Sequence, residues 1–278
     1  MTDASRPLFL YGPGYSARYL ADIWPAPVFG TVRSQQSAEK LSPTRIEPVP
    51  IDDEAALKAR VAEADIVISA PPEDAGCPAF ARIARFADQA HSITYLSTTG
   101  VYGDLAGGWA MEWMPTHPQS QRAERRVKAE TQWRQVSARL MIVRLPGIYG
   151  PGRSAFDRLN AGTARRVVKP GQVFSRIHVA DIATGLRALL LSNAEGVFNL
   201  CDEYAAPPED VITYAADLLG EAPPPEVPFE AVELTPMGRS FYAECKRVSN
   251  AKIKAATGWR PEYPTYKQGL KAILEQMA

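Results

Sequence analysis

The sequence predicts an α/β protein, in which helices cover both faces of a doubly wound parallel sheet and a smaller lobe follows on the C-terminal side. Two observations carry this prediction. Apolar runs of strand length alternate with amphipathic runs of helix length over most of the chain. From about Ala205 onward the sequence becomes rich in proline, with Pro223-Pro224-Pro225 as its densest stretch. We therefore expect a sheet domain at residues 1–204 and a smaller lobe at 205–278, to which residues from about 150 to 178 also contribute.

Each predicted element has a local pattern. The strand candidates are short and apolar, which is typical of strands buried in a parallel sheet; they are 8–11, 28–32, 66–68, 93–96, 140–145 and 198–200. The helix candidates carry apolar residues on one face; they are 34–41, a run capped by Asp52, 78–90, 120–136, 180–191 and 209–219, which Gly220 ends. Because strands and helices alternate, we expect the sheet to be parallel and covered on both sides.

Charge and cysteine content exclude several classes of protein. The 278 residues contain 31 basic and 31 acidic side chains, whereas nucleic acids and anionic membranes require a basic excess. Cys77, Cys201 and Cys245 lie far apart, which indicates neither a disulfide framework nor a metal site. No apolar run approaches the ~18 residues of a membrane span, and the first residues carry no secretion signal. We expect a soluble, cytoplasmic protein that binds neither nucleic acid nor membrane.

The first strand candidate leads into a glycine-rich turn, Gly12-Pro13-Gly14-Tyr15-Ser16-Ala17, and then into a helix. Gly12 allows a tight turn, Gly14 leaves space for a pyrophosphate, and Ala17 is small enough for the helix to pack against the strand. A phosphate here would face free N–H groups and the positive end of the helix dipole. The turn therefore predicts a Rossmann-type dinucleotide site that includes Tyr15 and Ser16, with an ordinary glycine-rich turn as the alternative.

The end of the second strand indicates which dinucleotide is bound. NAD enzymes carry an Asp or Glu about 20 residues after the first glycine, where it binds the ribose 2′-hydroxyl. Here the chain has Thr31-Val32-Arg33-Ser34, so no carboxylate repels a 2′-phosphate and Arg33 can pair with it. We predict NADP rather than NAD, bound at Arg33 and Ser34, with a solvated loop charge as the alternative for Arg33. Ala70 and Pro71, which follow a further strand, are predicted to lie along the same cofactor.

Three further segments carry a resemblance to a known family. They read Ser97-Thr98-Thr99-Gly100-Val101-Tyr102-Gly103, Val143-Arg144-Leu145-Pro146-Gly147-Ile148-Tyr149-Gly150, and Arg176-Ile177-His178-Val179-Ala180-Asp181. In this order and spacing they resemble the extended short-chain dehydrogenase/reductase family, also called the NAD-dependent epimerase/dehydratase family. The glycine turn is similar to that of the atypical branch, since typical extended members space their glycines G-x-x-G-x-x-G.

The resemblance implies a chemistry whose main residues have been replaced. In the family a Tyr, with a Lys four residues later, exchanges a proton with the substrate while hydride moves to or from the nicotinamide. Thr98 matches the assisting Ser or Thr, and Ser97 is expected to contact the cofactor. Glu130 matches the family's glutamate, and counting back from it places Arg122 at the Tyr position and Arg126 at the Lys position. An arginine stays protonated and cannot act as this acid or base.

This replacement leaves alternatives both for the group that transfers the proton and for the role of the two arginines. Either Tyr102 or Tyr149 moves the proton, although the ring of Tyr102 can equally serve packing, or the chain binds a dinucleotide without this chemistry. Arg122 and Arg126, one helical turn apart, are predicted to hold an anionic substrate or a cofactor phosphate together. A solvated charged face is the alternative for the two arginines.

The substrate is predicted to be a small hydroxyl or carbonyl metabolite. Sugar-nucleotide epimerases of the family present Arg-x-x-Asn after the sixth strand, whereas Arg144 is followed here by Leu, Pro and Gly, without the amide that holds a diphosphate. We assign the contacts beside the nicotinamide to Pro146, Gly147 and Ile148. We assign the substrate contacts to Tyr149, Arg176 and His178. The histidine spacing predicts no metal.

Two functions of different classes are compatible with these residues. The first is an atypical NAD(P)-dependent oxidoreductase or epimerase/dehydratase-like enzyme. The second is a non-catalytic NADP-binding redox sensor or scaffold, in which Arg122 supplies a fixed charge in place of chemistry. The resemblance also implies a homodimer with a four-helix interface, to which the helix at 120–136 would contribute.

Overall fold

The structure is a computed structural model that describes residues 6–277, and a parallel sheet lies at its centre. The strands are β1 (Leu8–Tyr11), β2 (Val28–Val32), β3 (Ile46–Pro50), β4 (Asp65–Ile68), β5 (Ser92–Thr98), β6 (Trp109–Ala110), β7 (Leu140–Leu145), β8 (Gly147–Tyr149), β9 (Arg166–Val168), β10 (Arg176–His178), β11 (Gly196–Asn199), β12 (Glu226–Pro228) and β13 (Arg247–Val248). The α-helices are α1 (Tyr15–Ile23), α2 (Gln35–Glu39), α3 (Glu54–Val61), α4 (Pro78–Ile83), α5 (Gln121–Trp133), α6 (Ala155–Asn160), α7 (Val179–Leu190), α8 (Pro208–Leu219), α9 (Pro236–Tyr242), α10 (Ala251–Thr257) and α11 (Tyr266–Met277). Short 3₁₀ helices occupy Ala84–Gln89, Thr99–Tyr102 and Phe229–Ala231. No helix within residues 6–277 is long and apolar enough to cross a membrane.

Seven strands form the central sheet in the order β11-β7-β5-β4-β1-β2-β3, and every pairing in it is parallel. From β1 the chain runs outward through β2 to β3 and then returns to β4 on the other side of β1. This reversal opens a crevice beyond the carboxyl ends of β1 and β4, which is where sheets of this kind bind ligands. The predicted fold class, a Rossmann-type doubly wound parallel sheet, is confirmed.

Both faces of the sheet are buried. The side chains of β1 alternate, so that Leu8 and Leu10 belong to one core and Phe9 and Tyr11 to the other. Helices α1 and α7 cover the first core, and Trp133 at the end of α5 is fully buried in the second. Because the inner strands are covered on both sides, they appear in the sequence as continuous apolar runs.

A separate, smaller core lies beside the sheet domain. It joins Tyr149, Ala155 and Phe156 to residues of α8 and α11, which come much later in the chain. Two short parallel strand pairs, β8 with β10 and β9 with β12, also join segments that are far apart in the chain. The chain therefore leaves the sheet domain after β8 and returns to it for α7 and β11. It leaves again for α8, and it returns once more at Ile253 and Trp259, which belong to the first core of the sheet, before α11 packs in the smaller core.

Some element ends differ from the sequence prediction for local reasons. The cap of α3 is Asp53, whose carboxylate accepts a hydrogen bond from the N–H of Ala56, so the assignment of the cap to Asp52 is wrong. The helix expected at 78–90 is α-helical only as far as Ile83 and continues as a 3₁₀ helix. Strand β3 was not predicted because it contains two prolines, which a strand tolerates at the edge of a sheet, where β3 lies.

Candidate functional site

The glycine turn after β1 is held by the two strands beside it. The N–H of Gly12 donates to the hydroxyl of Thr31 at 2.9 Å, and the hydroxyl of Ser69 donates to the carbonyl of Gly12. Gly12 has a φ of +81°, and a Cβ there would lie 3.0 Å from the Cβ and the nitrogen of Ala70. The conformation of this residue and its packing therefore both require glycine.

Gly14 has no such internal reason to be glycine. Its φ is −82°, and a Cβ there would meet no protein atom nearer than the carbonyl oxygen of Gly12, at 3.9 Å. Gly14 is the N-cap of α1, yet among the described residues no side chain caps this helix and its first turn holds no acidic residue. The N–H groups and the positive end of the helix dipole are thus left to a ligand or to water, an arrangement that suits a phosphate.

A cleft of about 720 Å³ opens at this edge of the sheet. The glycine turn, the ends of β2 and β4, and side chains from α1, α2 and α4 form its wall. Four lining side chains are cationic, namely Arg18, Arg33, Lys40 and Arg82, and two are acidic, namely Asp52 and Glu73. The cleft has the volume of a small-molecule site and an excess of positive charge in its lining.

The cations of the cleft differ in how firmly the protein holds them. Arg82 pairs with Asp52 at 2.9 Å, so its charge is partly compensated. Arg33 and Lys40 are exposed, and their side chains make no hydrogen bond or ion pair with another residue in the range 6–277. An anionic ligand would therefore find Arg33 and Lys40 available.

The structure brings some of the predicted cofactor residues together and leaves others apart. The cleft is lined by Gly12, Gly14, Arg33, Ala70 and Pro71. Its lining does not include Tyr15, Ser16, Ala17, Ser34, Ser97, Pro146, Gly147 or Ile148. Ser16 and Ala17 are buried in the first turn of α1, and the hydroxyl of Ser34 caps α2 by accepting from the N–H of Ser37. Tyr15 donates its hydroxyl to a backbone carbonyl in the loop after β8.

Sequence reasoning did not find three of the cleft's cations, Arg18, Lys40 and Arg82. Arg18 lies one helical turn after Gly14, and this spacing was a usable signal, because residues four apart share a helix face. Arg82 comes from α4, which follows β4 in the chain, and only the strand order brings it to the cleft.

The end of β5 lies two strands from the glycine turn. Thr98 is half-buried there, and its hydroxyl oxygen accepts a hydrogen bond from the N–H of Gly100 at 3.2 Å. Because the oxygen acts as acceptor in this contact, its proton stays available for another group. Thr98 pairs in register with Leu145, and so it lies beside the chain segment of Pro146 and Gly147.

The two arginines at the family's Tyr and Lys positions are used differently. Arg126 donates through Nη1 to the carbonyl of Leu96 at 2.5 Å and to the hydroxyl of Tyr95 at 3.3 Å, which ties α5 to β5. Arg122 is exposed, with its guanidinium carbon 5.9 Å from the ring centre of Phe241 in α9. One guanidinium nitrogen of Arg126 is therefore engaged by the sheet, and the expectation that both arginines hold one anion together stays a prediction.

A buried polar network lies behind β5. Glu130 of α5 accepts from the hydroxyl of Ser97 at 2.6 Å and from Arg144 of β7 at 2.7 and 3.1 Å. All three side chains are buried. Such partners are necessary because a buried charge without them is costly. The hydroxyl of Ser97, expected to contact the cofactor, is therefore engaged by Glu130.

Tyr102 also lies inside the protein. Its side chain is buried, its hydroxyl donates to Oδ1 of Asn199 at 2.7 Å, and the guanidinium carbon of Arg144 lies 4.7 Å from its ring centre. Burial raises the pKa of the Tyr102 phenol above its ordinary value. These contacts favour a packing role for Tyr102 over proton transfer.

Tyr149 and His178 pack edge to face with ring centres 5.2 Å apart, and both are buried. Among residues 6–277, neither the Tyr149 hydroxyl nor Nε2 of His178 has a hydrogen-bond partner. Burial lowers the pKa of His178 to about 4 and raises the pKa of Tyr149, so both side chains are neutral at pH 7. Their predicted contact with substrate stays a prediction.

Arg176 is half-buried at the start of β10, where the register sets it opposite Gly147 of β8. Its Nη1 donates to the carbonyls of Phe174 and Ala206 at 2.7 and 3.0 Å. The buried carboxyl of Asp202 acts on Arg176 electrostatically, and burial raises the pKa of Asp202 to about 8. Arg176 is thus a positioned cation next to the segment assigned to the nicotinamide.

No protein-family model matches the sequence. A curated relative, a 3-diazoavenalumate denitrifying reductase from a Streptomyces species, is 27% identical over 143 residues. That match covers 47% of this chain and 45% of the reductase, so the chain spans less than half the length of this relative.

Solved structures match nearly the whole chain. A functionally unknown conserved protein from Silicibacter pomeroyi DSS is 42% identical, with 98% of this chain and 99% of that chain covered and a TM-score of 0.91. The human epimerase family protein SDR39U1, solved with NADPH, is 18% identical, with 97% and 99% covered and a TM-score of 0.75. The chain belongs to the same family as the Silicibacter pomeroyi protein, and its fold is that of NAD-dependent epimerase/dehydratase-like and extended short-chain dehydrogenase/reductase proteins.

Proposed function

We propose that the chain is an atypical NADP(H)-dependent oxidoreductase that acts on a small hydroxyl or carbonyl metabolite without a Tyr-x-x-x-Lys pair. The observation that carries this proposal is the cleft at the carboxyl ends of β1, β2 and β4, with the glycine turn on one side and four cations in its wall. Two similarities support it, since the human neighbour was solved with NADPH and the Streptomyces relative is a reductase.

The residues of the cleft fit a dinucleotide with a 2′-phosphate. Gly14 is free of internal packing demands, and in the described chain the start of α1 has no side-chain cap. After β2, Arg33 and Lys40 are exposed cations, and no carboxylate stands at the strand end to repel a 2′-phosphate. These features favour NADP over NAD.

The chemistry is assigned by position and charge. A bound nicotinamide would supply or accept the hydride. Thr98 orients the substrate oxygen, since its half-buried hydroxyl retains a proton to donate at the end of β5. Arg122 keeps its charge at any working pH, so it stabilises a developing negative charge without exchanging a proton.

A non-catalytic NADP-binding redox sensor or scaffold is the second candidate function. The observation that favours it is the contact of Arg126 with Leu96, because this contact gives the family's Lys position a structural use. In that case the cleft binds the nucleotide while no substrate is turned over.

Calorimetric titration of the purified chain with NADPH and NADH tests the cofactor. We expect NADPH to bind more tightly, and Arg33→Ala to weaken NADPH by about tenfold or more with little effect on NADH. Arg187→Ala is the matched control, because Arg187 is exposed on α7 and outside the lining of the cleft. Binding of neither nucleotide, or an equal loss in the control, would overturn the proposal.

Turnover separates the enzyme from the sensor. Carbonyl and hydroxyl compounds are screened with NADPH or NADP, and the enzyme is supported by wild-type turnover that disappears in Thr98→Ala. Turnover that appears only when Arg122→Tyr is combined with Arg126→Lys favours the sensor.

A further inference from the structure

The loop between β4 and α4 places a carboxylate in the wall of the cleft. Ala70, Pro71 and Glu73 of this loop line the cleft. Asp52, the other acidic residue of the lining, pairs with Arg82 at 2.9 Å. The side chain of Glu73 is exposed, and within residues 6–277 its carboxylate forms no hydrogen bond or ion pair. Glu73 is therefore open to a ligand in the cleft.

The backbone of Glu73 is fixed in a closed turn. Its N–H donates to the carbonyl of Gly76 at 2.8 Å, and the N–H of Gly76 donates back to the carbonyl of Glu73 at 3.0 Å. Gly76 has a φ of +116°, and a Cβ there would collide with the side-chain amide of Gln132 in α5. The turn thus requires glycine both for its conformation and for its close approach to α5.

Three side chains of α5 hold this turn against the helix. Nε of Arg125 donates to Oδ1 of Asp74 at 2.6 Å, and Nζ of Lys128 donates to the carbonyl of Asp74 at 2.7 Å. Oε1 of Gln132 accepts from the N–H of Cys77 at 2.8 Å. Spacings of three and four residues bring the three side chains to one face of the helix. The loop is therefore anchored directly after its cleft-lining carboxylate, whose backbone position is set without a ligand.

The anchored loop and the end of β2 lie on opposite sides of the glycine turn, because β4 and β2 flank β1 in the sheet. Ala70, at the start of the loop, packs against the turn, since a Cβ on Gly12 would lie 3.0 Å from its nitrogen. Arg33 follows β2 and lines the same cleft. A ligand that spans the cleft therefore meets Arg33 on the β2 side and Glu73 on the β4 side.

A carboxylate in this place distinguishes between anions. An ionised carboxylate only accepts hydrogen bonds, so it repels a phosphate and attracts an O–H or N–H donor. Pyrophosphate brings negative charge alone, whereas a nucleotide also brings ribose hydroxyls and, in adenine, an amino group. An unpaired carboxylate among four cations therefore favours a ligand that carries donors beside its phosphates.

We propose that Glu73 is a specificity residue of the cleft, which accepts a hydrogen bond from the nucleoside part of the ligand, and that Arg125 and Lys128 are positioning residues that hold its loop. The identity of the ligand as NADP(H) rests on the proposed function, whereas the selection of a nucleotide over bare pyrophosphate does not.

Titration calorimetry of the whole chain with ADP and with pyrophosphate tests Glu73, because ADP is pyrophosphate with an adenosine attached. We expect Glu73→Ala to bind ADP about tenfold more weakly than wild type, since a hydrogen bond to a charged group is lost. Pyrophosphate should bind to the variant at least as tightly as to wild type, since a repulsive charge is gone. The melting temperature should stay unchanged, because the Glu73 side chain has no partner in the described chain. Glu124→Ala, which removes an exposed carboxylate outside the cleft lining, is the control.

A double-mutant cycle tests the positioning role. Arg125→Ala should weaken ADP binding by about threefold, as expected for a partly exposed ion pair, and should have no effect when Glu73→Ala is already present. An effect of Arg125→Ala that persists beside Glu73→Ala rejects the positioning role.

Inosine diphosphate identifies the donor on the ligand. Equal losses of ADP and inosine diphosphate binding in Glu73→Ala indicate a ribose hydroxyl, and a loss for ADP alone indicates the adenine amino group.

Four results would overturn the role of Glu73: no binding of ADP by wild type, equal ADP binding in Glu73→Ala and wild type, parallel losses of ADP and pyrophosphate in that variant, or an equal loss of ADP binding in Glu124→Ala. The same titrations with NADPH test the proposed function. If ADP binding depends on Glu73 while NADPH does not bind, the proposed function fails and the role of Glu73 stands. If NADPH binds, and binds equally to Glu73→Ala and wild type as ADP does, only the role of Glu73 is rejected.

Discussion

The glycine-turn cleft and the region where α5 meets β5 lie along the same sheet, but the protein treats their polar groups in opposite ways. In the cleft, the start of α1 and the cations Arg33 and Lys40 have no side-chain partner among the described residues. Where α5 meets β5, Arg126 is bound to a backbone carbonyl and Glu130 is enclosed by Ser97 and Arg144.

This difference indicates which polar groups remain open to a ligand. A polar group that the protein satisfies itself adds to folding stability, whereas an unsatisfied one must be met by water or a ligand. The start of α1 and the exposed cations of the cleft are left to water or a ligand, whereas Arg126 and Glu130 of α5 find partners inside the protein. Substitutions of Arg126 and Glu130 should therefore change stability, and substitutions in the cleft should change binding.

The largest effect should follow Glu130→Ala. Removing this carboxylate leaves Arg144 as a buried charge without a partner, so we expect the free energy of unfolding to fall by about 3–5 kcal/mol. Denaturant unfolding measures the change. Glu124→Ala, an exposed glutamate of the same helix, is the control and should stay within about 0.5 kcal/mol of wild type. Equal stability of the two variants would break the comparison.

Gly14→Val should weaken ligand binding and leave stability almost unchanged. The new side chain meets open space in the protein but blocks a bound pyrophosphate, so we expect NADPH to bind on the order of 100-fold more weakly. The unfolding free energy should change by less than about 1 kcal/mol. In contrast, Gly12→Ala should cost stability, about 1–2 kcal/mol, because of its positive φ. If Gly14→Val binds NADPH as tightly as wild type does, the assignment of the phosphate site to this turn is wrong.

Buried carboxyls extend the comparison, because Glu130 has a cationic partner at 2.7 Å and Asp202 has none at ion-pair distance in the described chain. Burial raises the pKa of Asp202 from 3.8 to about 8 in the folded chain. Between these two pKa values the folded state holds a proton that the unfolded state has lost, so this group's contribution to stability falls as pH rises.

Asp202→Asn mimics the protonated side chain and removes this dependence. We expect the variant to match wild type near pH 4 and to exceed its stability near pH 8 by more than about 1.4 kcal/mol, the equivalent of one pKa unit. Denaturant unfolding at both pH values measures the difference, and groups such as His178 cancel because both proteins share them. Parallel pH profiles would contradict the assignment.

The smallest expected effect is a difference in stability between the variants Arg126→Ala and Arg122→Ala. Arg126→Ala loses the bonds to Leu96 and Tyr95, and we expect a loss of about 1 kcal/mol in unfolding free energy. Arg122→Ala should stay within about 0.5 kcal/mol, since this side chain is exposed. If Arg122 proves the more important of the two for stability, α5 is not held to the sheet as described.

Sequence reasoning predicts the sheet well and the functional site only in part. Continuous apolar runs show strands that are covered on both faces, and the turn after Tyr11 shows where the first helix begins. Strand β3 escapes the pattern because an edge position tolerates its prolines. Gly14 and Arg33 are found because they belong to local motifs. Arg82 is not, because it lies on a helix that only the strand order brings to the cleft.

By itself, the sequence determined the alternation of strands and helices, the glycine turn, and the absence of a carboxylate after β2, since each depends on residues that are adjacent in the chain. Only the tertiary structure decided which polar groups have partners inside the protein and which stay open to a ligand. It turned Arg126 and Ser97 inward and left Arg33 and Lys40 open. The physical reason is that a polar group's partners come from elements far away in sequence, and whether they meet it depends on the packing of the whole fold.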